Sequence, residues 1–310
     1  MEPVIEIVNV SKYFDLNGEK LYANSNINIS IGKNELIGLF GANGSGKTTL
    51  VRQVTGIMKP SSGYIMINGR DVMKDTKNIK REIGYMSQSA YAALWGLKVK
   101  EAIKLSGRLH DLPDAVVKKR YAFYKEYFSL RDGIDEMTFG SLSGGLKKMV
   151  VFIISTLKDK PIYIFDEPSN ELDPKKRKLL WDRILYFKNN GSTIILVTHN
   201  IKEVEGLVDR VIILSKGEVT VDSSLKELTK PFENKLKLKI AFENSDYFNR
   251  YDNALKSYDF VEILEKKDLT ISLNVHQDYL DKLTDELNCF YPTTYSVDRI
   301  NLEDICFSYF

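Results

Sequence analysis

The sequence predicts an α/β fold followed by a smaller α+β domain, and three features of the apolar pattern support this prediction. Short apolar runs rich in β-forming residues occur at residues 35–40, 162–165 and 193–198, as in strands buried on both faces of a parallel sheet. Helical segments follow the first two runs, near residues 49 and 175, which is the alternation of an α/β core. After residue 222 apolar residues instead alternate with polar ones, a pattern typical of half-buried strands.

Length and composition indicate a folded chain of more than one domain. The chain has 310 residues, 43% of them apolar, and a formal net charge of only +2. This charge provides no large cationic field, so we expect no nucleic-acid partner. No segment approaches the roughly 20 apolar residues that span a bilayer, and the amino terminus lacks a secretory pattern. We therefore expect a cytoplasmic protein whose two cysteines, Cys289 and Cys306, lack metal-ligand spacing and stay reduced.

A phosphate-binding loop is predicted at residues 41–48, between the first apolar strand and a helix. Its sequence, GANGSGKT, fits the pattern G-x-x-x-x-G-K-[ST], in which the glycines let backbone N–H groups turn inward around phosphate oxygens. In such a loop Lys47 reaches the β- and γ-phosphates, and Thr48 ligates Mg²⁺. A plain glycine turn before a helix is the alternative, and the fully matched motif argues against it.

Two acids follow the second apolar run, at the end of a predicted central strand. Asp166 and Glu167 lie between residues 162–165 and Pro168. The carboxyl edge of such a sheet is where ligands bind. Asp166 is therefore predicted to hold Mg²⁺, and Glu167 to polarise the water that attacks a γ-phosphate. An Asp-Glu pair alone is usually a solvated loop, but its position downstream of a phosphate loop favours catalysis.

A third motif, Leu142-Ser143-Gly144-Gly145, precedes a helical run at residues 146–157. Ser143 and the glycine amides are thus expected at a helix N-terminus, which attracts anions.

The ordered set of these motifs, ending with His199 after the run at 193–198, resembles the ATP-binding cassette (ABC) family, the motor subunits of ABC transporters. The resemblance covers roughly the first two thirds of the chain and implies a P-loop NTPase core with an antiparallel β lobe and a helical subdomain. It implies that His199 contacts the γ-phosphate and that Gln88, after a strand at 83–87, touches Mg²⁺ or the lytic water. His110 and His276 keep a structural interpretation.

The resemblance also implies that ATP is sandwiched between two cassettes, in a homodimer or a heterodimer. The third motif of one subunit then contacts the nucleotide held by the other. Position 146 is usually glutamine in the family but is leucine here, which removes a side-chain amide. The implied nucleotide-binding residues are Phe14, Gly41, Asn43, Gly44, Ser45, Gly46, Lys47, Thr48, Thr49, Ser143, Gly144 and Gly145.

Two further features are interpreted through the same resemblance. Residues 170–173 look like the family's subunit-crossing loop, although Asn170 and Glu171 replace its usual small residues; Asp173 is also suited to cap the helix that follows Pro174. Adenine usually stacks on one aromatic residue near the amino terminus, for which Phe14 is preferred by spacing and Tyr13 is the alternative.

These patterns predict two domains. The cassette occupies residues 1–222, with its core at 1–88 and 159–222 and a helical subdomain at 89–158. Residues 223–310 form an accessory domain, whose element order β-α-β-β-α-β suggests a ferredoxin-like fold.

The resulting prediction is an ATP-hydrolysing subunit at the inner face of the cell membrane that powers transport through a separate membrane permease. Export is favoured over import because the chain end, residues 301–305, resembles the terminal helix of drug, bacteriocin and polysaccharide exporter cassettes. A non-transport ABC ATPase that acts as a regulatory or assembly factor is the alternative. A cassette that binds ATP without turnover is disfavoured by Glu167 and His199.

Overall fold

The protein is described here from a computed structural model, which describes residues 3–87, 92–307 and 309. The chain divides into two compact units. One comprises the described residues up to Ser223 together with Tyr309, and the other begins at Ser224.

The first unit contains two sheets and six α-helices among its described residues. Its strands are β1 (Ile5–Leu16), β2 (Glu19–Ile31), β3 (Leu36–Phe40), β4 (Ser62–Ile67), β5 (Arg70–Asp71), β6 (Ile83–Met86), β7 (Ile162–Asp166), β8 (Thr193–Val197), β9 (Arg210–Ser215) and β10 (Glu218–Ser224). Its helices are α1 (Lys47–Val54), α2 (Thr76–Glu82), α3 (Val99–Leu109), α4 (Asp114–Tyr127), α5 (Gly144–Thr156) and α6 (Pro174–Asn189).

The central sheet has the strand order β10-β9-β3-β8-β7-β6, and the pairings of β3, β6, β7, β8 and β9 are parallel. Strands β3, β7 and β8 are buried along their whole length, as their continuous apolar runs predict. This α/β core confirms the predicted fold class. A second, antiparallel sheet with the order β2-β1-β4-β5 forms the predicted β lobe, and Asn68 and Gly69 lie in the turn between β4 and β5.

The core of this unit lies on both faces of the central sheet. On one face, isoleucine, leucine and valine side chains of both sheets and of α1 form a single buried cluster. On the other face, aromatic rings connect the sheet to the helices: Phe165 on β7 stacks on Phe152 of α5 at 5.4 Å between centroids, and Tyr163 lies 4.5 Å from Phe187 of α6. Packing on both faces therefore holds in place the edge of the sheet on which the site is built.

The second unit contains helices α7 (Leu225–Thr229), α8 (Ser245–Leu255), α9 (Leu280–Leu287) and α10 (Leu302–Phe307) and strands β11 (Lys235–Ala241), β12 (Val261–Lys267), β13 (Thr270–His276) and β14 (Thr294–Arg299). Its sheet has the order β12-β13-β11-β14, and all three pairings are antiparallel. Alternate residues of β11 and β13 pack with α8 and α9 in a separate apolar cluster. The observed order β-α-β-β-α-β supports the ferredoxin-like classification, which stays a prediction.

Candidate active site

The predicted motifs meet at one edge of the central sheet. Strands β3, β8 and β7 are neighbours and parallel, so the segments that follow them lie side by side. The loop at residues 41–48 follows β3, His199 follows β8, and Glu167 follows β7 directly. Gln88, predicted to follow β6, lies outside the described residues.

Backbone conformation makes the loop at residues 41–48 a cradle. Gly41, Gly44 and Gly46 all have positive φ, of 149°, 81° and 102°. A side chain at Gly41 would collide with the backbone carbonyl of Leu214, and one at Gly46 would collide with that of Ala23. The loop can therefore adopt this path only with glycine at these two positions.

The side chain of Lys47 folds back onto the backbone of this loop. Its ammonium donates hydrogen bonds to the carbonyl oxygens of Gly41 at 2.7 Å and Ala42 at 2.9 Å. Burial lowers its pKa, while the charges of Glu167 and Asp166 act to raise it. The hydroxyl of Ser45 is buried and has no hydrogen-bond partner among the described residues. An anion in the cradle would supply the acceptor that this hydroxyl lacks.

Asp166 is a buried carboxylate with an unused oxygen. Its side chain is 1% exposed, and Oδ2 accepts no hydrogen bond from the described part of the chain. Burial and the neighbouring charge of Glu167 raise the pKa of Asp166 to about 6, while Lys148 and Lys47 act to lower it. A buried carboxylate with a free oxygen is a donor that suits a hard cation.

Glu167 is held in position by the loop after β8. Its Oε1 atom accepts hydrogen bonds from the backbone N–H of His199 at 3.1 Å and from Nδ1–H of the same residue at 2.8 Å. Thr198 donates to Oε2 at 3.3 Å. Glu167 is 7% exposed, whereas the side chain of His199 is 61% exposed. The carboxylate is thus fixed and the imidazole is open to a ligand, an arrangement that suits a general base beside a phosphate-sensing group.

Ser143 is the N-cap residue of α5, and the two glycines of its motif form the first turn. Its hydroxyl makes no capping hydrogen bond and is exposed. A side chain at Gly144 or Gly145 would collide with Glu171 of the loop after β7. The carboxylate of Glu171 thus lies against the first turn of α5 at Gly144, and the backbone of Glu171 leaves no space for a side chain at Gly145.

The two candidate aromatic residues have different surroundings. The ring of Tyr13 lies 5.6 Å from that of Tyr22, and the ammonium of Lys20 lies 4.5 Å from its centroid. Phe14 is 40% exposed, and the ammonium of Lys12 lies over its ring, 5.5 Å from the centroid. Each ring thus has a lysine ammonium over it, and the ring of Tyr13 also packs near Tyr22; adenine stacking on Phe14, with Tyr13 as the alternative, stays a prediction.

Sequence reasoning missed one buried charge next to the site. Lys148, on α5, is 5% exposed and donates from Nζ to the backbone carbonyl of Glu167 at 2.9 Å. The available signal was a lysine at the start of a long apolar helical run, on the same face as Phe152. The capping role predicted for Asp173 is observed, since its side chain accepts from the N–H of Lys176 at 2.9 Å.

No helix among the described residues combines the length and the apolar character that a membrane crossing requires.

Comparison with known proteins gives consistent results for the first unit. A family model described as ABC transporter matches residues 24–170. A putative ABC transporter ATP-binding protein of Pyrococcus furiosus is 33% identical over 225 residues, which cover 70% of this chain and 79% of the relative. The Nod factor export ATP-binding protein I of a Rhizobium strain is 30% identical over 220 residues, covering 71% of this chain and 70% of the relative. A dimeric structure of a bacterial ABC transporter cassette is similar with a TM-score of 0.66 and 25% identity, over 71% of this chain and 98% of that one.

Proposed function

Because the chain belongs to the ATP-binding proteins of the ABC transporter family, we propose that it hydrolyses ATP within a cassette dimer and drives transport through a separate membrane permease. One observation supports this proposal. The carboxyl ends of three neighbouring parallel strands bring together the glycine loop with Lys47, the buried Asp166, and the hydrogen-bonded side chains of Glu167 and His199.

The unsatisfied oxygen of Asp166 and the chemistry of the loop fit a magnesium ion. Thr48 and Asp166 would hold it, and the ion would neutralise charge on the phosphates. Among the described residues no group of three or more His, Cys, Asp and Glu side chains could hold a metal alone. In this proposal the phosphates of the nucleotide would supply further ligands of the ion, as in other sites that bind Mg²⁺ with a phosphate ligand.

The residues of this chain then have separate roles in ATP binding and hydrolysis. Backbone N–H groups of residues 41–48 and the ammonium of Lys47 bind the phosphates. Glu167 accepts a proton from the attacking water, and the hydrogen bonds from His199 keep its carboxylate aimed at that water. The exposed imidazole of His199 reports whether a γ-phosphate is present.

A second cassette completes the site in this proposal. Ser143 is exposed, Gly144 and Gly145 are half-buried, and all three lie at the N-terminus of α5. They would close on the nucleotide bound by the other subunit, and the dimeric cassette of similar fold supports this arrangement.

We further propose export, with the chain held at the inner face of the cell membrane by its permease. The similarity to a Nod factor export ATP-binding protein supports export over import. The non-transport alternative has no comparable support among these relatives.

The direct test is Glu167→Gln, which keeps the shape of the side chain but removes the base. Removal of a general base costs about 10²–10⁴-fold in rate. We therefore expect ATP hydrolysis to fall by at least 100-fold, with ATP still bound and dimers accumulating in gel filtration. Glu19→Gln, an exposed residue of the β1–β2 hairpin, is the matched control. Unchanged hydrolysis in Glu167→Gln would remove Glu167 from its role.

Partner choice is tested by affinity capture from detergent-solubilised membranes of the native cell. A polytopic membrane protein should be recovered in stoichiometric amount. Addition of an excess of the free, untagged protein should release this membrane protein from the affinity matrix. Recovery of ribosomes instead would support the regulatory alternative.

A further inference from the structure

A buried ammonium connects the helix of the Ser143 motif to the proposed general base. Lys148 lies in the second turn of α5 and is 5% exposed. Its Nζ atom donates to the backbone carbonyl of Glu167 at 2.9 Å. The neighbouring Lys147 has a different environment, since its ammonium lies 4.6 Å from the ring centroid of Trp95. Only one lysine of the pair thus contacts the catalytic strand end.

The residue that Lys148 contacts has an unfavourable backbone conformation. Glu167 has φ of 52°, in the left-handed region that side chains other than glycine rarely occupy. Such a conformation persists when surrounding contacts hold it, and it is common at functional sites. Its N–H is bound by the carbonyl of Val197 at 2.8 Å, and its carbonyl is bound by Lys148. The backbone of Glu167 is therefore held from both sides.

Packing alone does not explain a lysine at this position. Taking an ammonium out of water is costly unless it is paired and hydrogen-bonded, and an apolar side chain would fill the same space without that cost. Burial lowers the pKa of Lys148, and the charges of three carboxylates, those of Glu171, Asp166 and Glu167, oppose this shift in part. The charge and the hydrogen-bond donor of Lys148, rather than its volume, therefore account for a lysine at this position.

We propose that Lys148 is a positioning residue for ATP hydrolysis, which fixes the backbone of Glu167 so that its carboxylate meets the attacking water. Because Lys148 belongs to the helix that begins with the Ser143 motif, it also makes a direct contact between the two half-sites of one chain. This inference rests on the proposed ATPase function. It adds a residue that does not touch the nucleotide but acts through the one that activates water.

The test compares steady-state ATP hydrolysis of Lys148→Met, Lys148→Arg and Lys147→Met with the unmodified full-length protein. Methionine keeps the length and removes the donor and the charge. A displacement of about 1 Å at a reacting group costs on the order of 100-fold in rate. We expect Lys148→Met to lower kcat by at least 10-fold and to leave the KM for ATP within about twofold, since the nucleotide contacts are intact.

Three controls separate positioning from folding. Lys148→Arg retains a charged donor and should recover most of kcat, whereas Lys147→Met should match the unmodified protein. Thermal unfolding is measured for Lys148→Met because removal of one partner from a buried group of charges destabilises a fold, and its unfolding midpoint should stay above the assay temperature, so that unfolding cannot account for the lower kcat.

The inference is overturned if Lys148→Met keeps its kcat, if Lys147→Met loses as much, or if the arginine variant is as slow as the methionine variant. If the unmodified protein does not hydrolyse ATP, the ATPase proposal itself is refuted. The measurement on the unmodified protein thus distinguishes failure of that proposal from failure of the inference about Lys148.

Discussion

Replacing Gly46 by alanine tests whether the cradle geometry depends on glycine at the start of α1. Gly46 has φ of 102°, and an added Cβ would lie 2.5 Å from Nδ2 of Asn24 and nearer still to the carbonyl of Ala23. Asn24 is fully buried, donates to the carbonyl of Gly46 at 3.2 Å and accepts from Gln53 at 2.8 Å. The new methyl group therefore disturbs a buried polar network as well as the loop.

The matched control is Gly44→Ala in the same loop. Gly44 also has positive φ, of 81°, but a Cβ there would meet nothing within 4 Å. Both variants incur the left-handed backbone cost of about 1–2 kcal/mol. Only Gly46→Ala adds overpacking, which costs about 1–3 kcal/mol more.

The assay is thermal unfolding without nucleotide, followed by circular dichroism. One kcal/mol shifts the midpoint by about 2–4 °C in a domain of this size. Gly46→Ala should thus unfold several degrees below Gly44→Ala. The reasoning is refuted if the two variants unfold together, or if Gly46→Ala is the more stable one.

Further predictions concern single side chains of the site. Asp166→Asn should abolish Mg²⁺-dependent hydrolysis and stabilise the nucleotide-free protein at pH 7.5. Burial raises the pKa of Asp166 from 3.8 to about 6, so the ionised form is disfavoured in the fold by at most about 3 kcal/mol. That penalty is complete above pH 6 and absent below 3.8, so the gain in unfolding temperature should vanish between these values. Lys47→Ala should weaken equilibrium ATP binding, and normal affinity would make the loop merely structural. Phe14→Ala should reduce affinity for ATP more than Tyr13→Ala does, and the reverse order would assign adenine stacking to Tyr13. Asp173→Ala, which removes the N-cap of α6, should lower the unfolding midpoint by a few degrees.

Strands and helices were predictable wherever their apolar pattern was continuous. The apolar runs at residues 35–40, 162–165 and 193–198 form the buried strands β3, β7 and β8. The short helix α2 was not predicted, because it buries only Ile79 and so has almost no apolar periodicity. Local pattern therefore determined the elements that carry the core, and failed where an element contributes little to it.

The site residues were predictable by type and order, but their mutual contacts were not. Lys147 and Lys148 are adjacent residues of one type, and the helix face that Lys148 shares with Phe152 indicates burial but not the contact with the carbonyl of Glu167. Glu171 likewise replaces a usually small residue, yet its conflict with a side chain at Gly144 emerges only when two loops from distant parts of the chain meet. Such contacts depend on tertiary packing, for which a single sequence has no local signal.

Polar contacts around the sheet edge connect the loop at residues 170–173 to the segment that follows β8. The carbonyl of Leu172, in the loop proposed to face a second cassette, accepts a hydrogen bond from Arg177 at 3.1 Å. Arg177 pairs with Glu203 at 2.7 Å, and the same Glu203 oxygen accepts a hydrogen bond from the side chain of Asn200, next to the histidine that holds the catalytic carboxylate. Three polar interactions, between Leu172 and Arg177, Arg177 and Glu203, and Glu203 and Asn200, thus connect the loop proposed to face a second cassette with the residue next to His199. Ordered motifs in a sequence identify the parts of such a site, and the polar contacts between them make those parts respond as one.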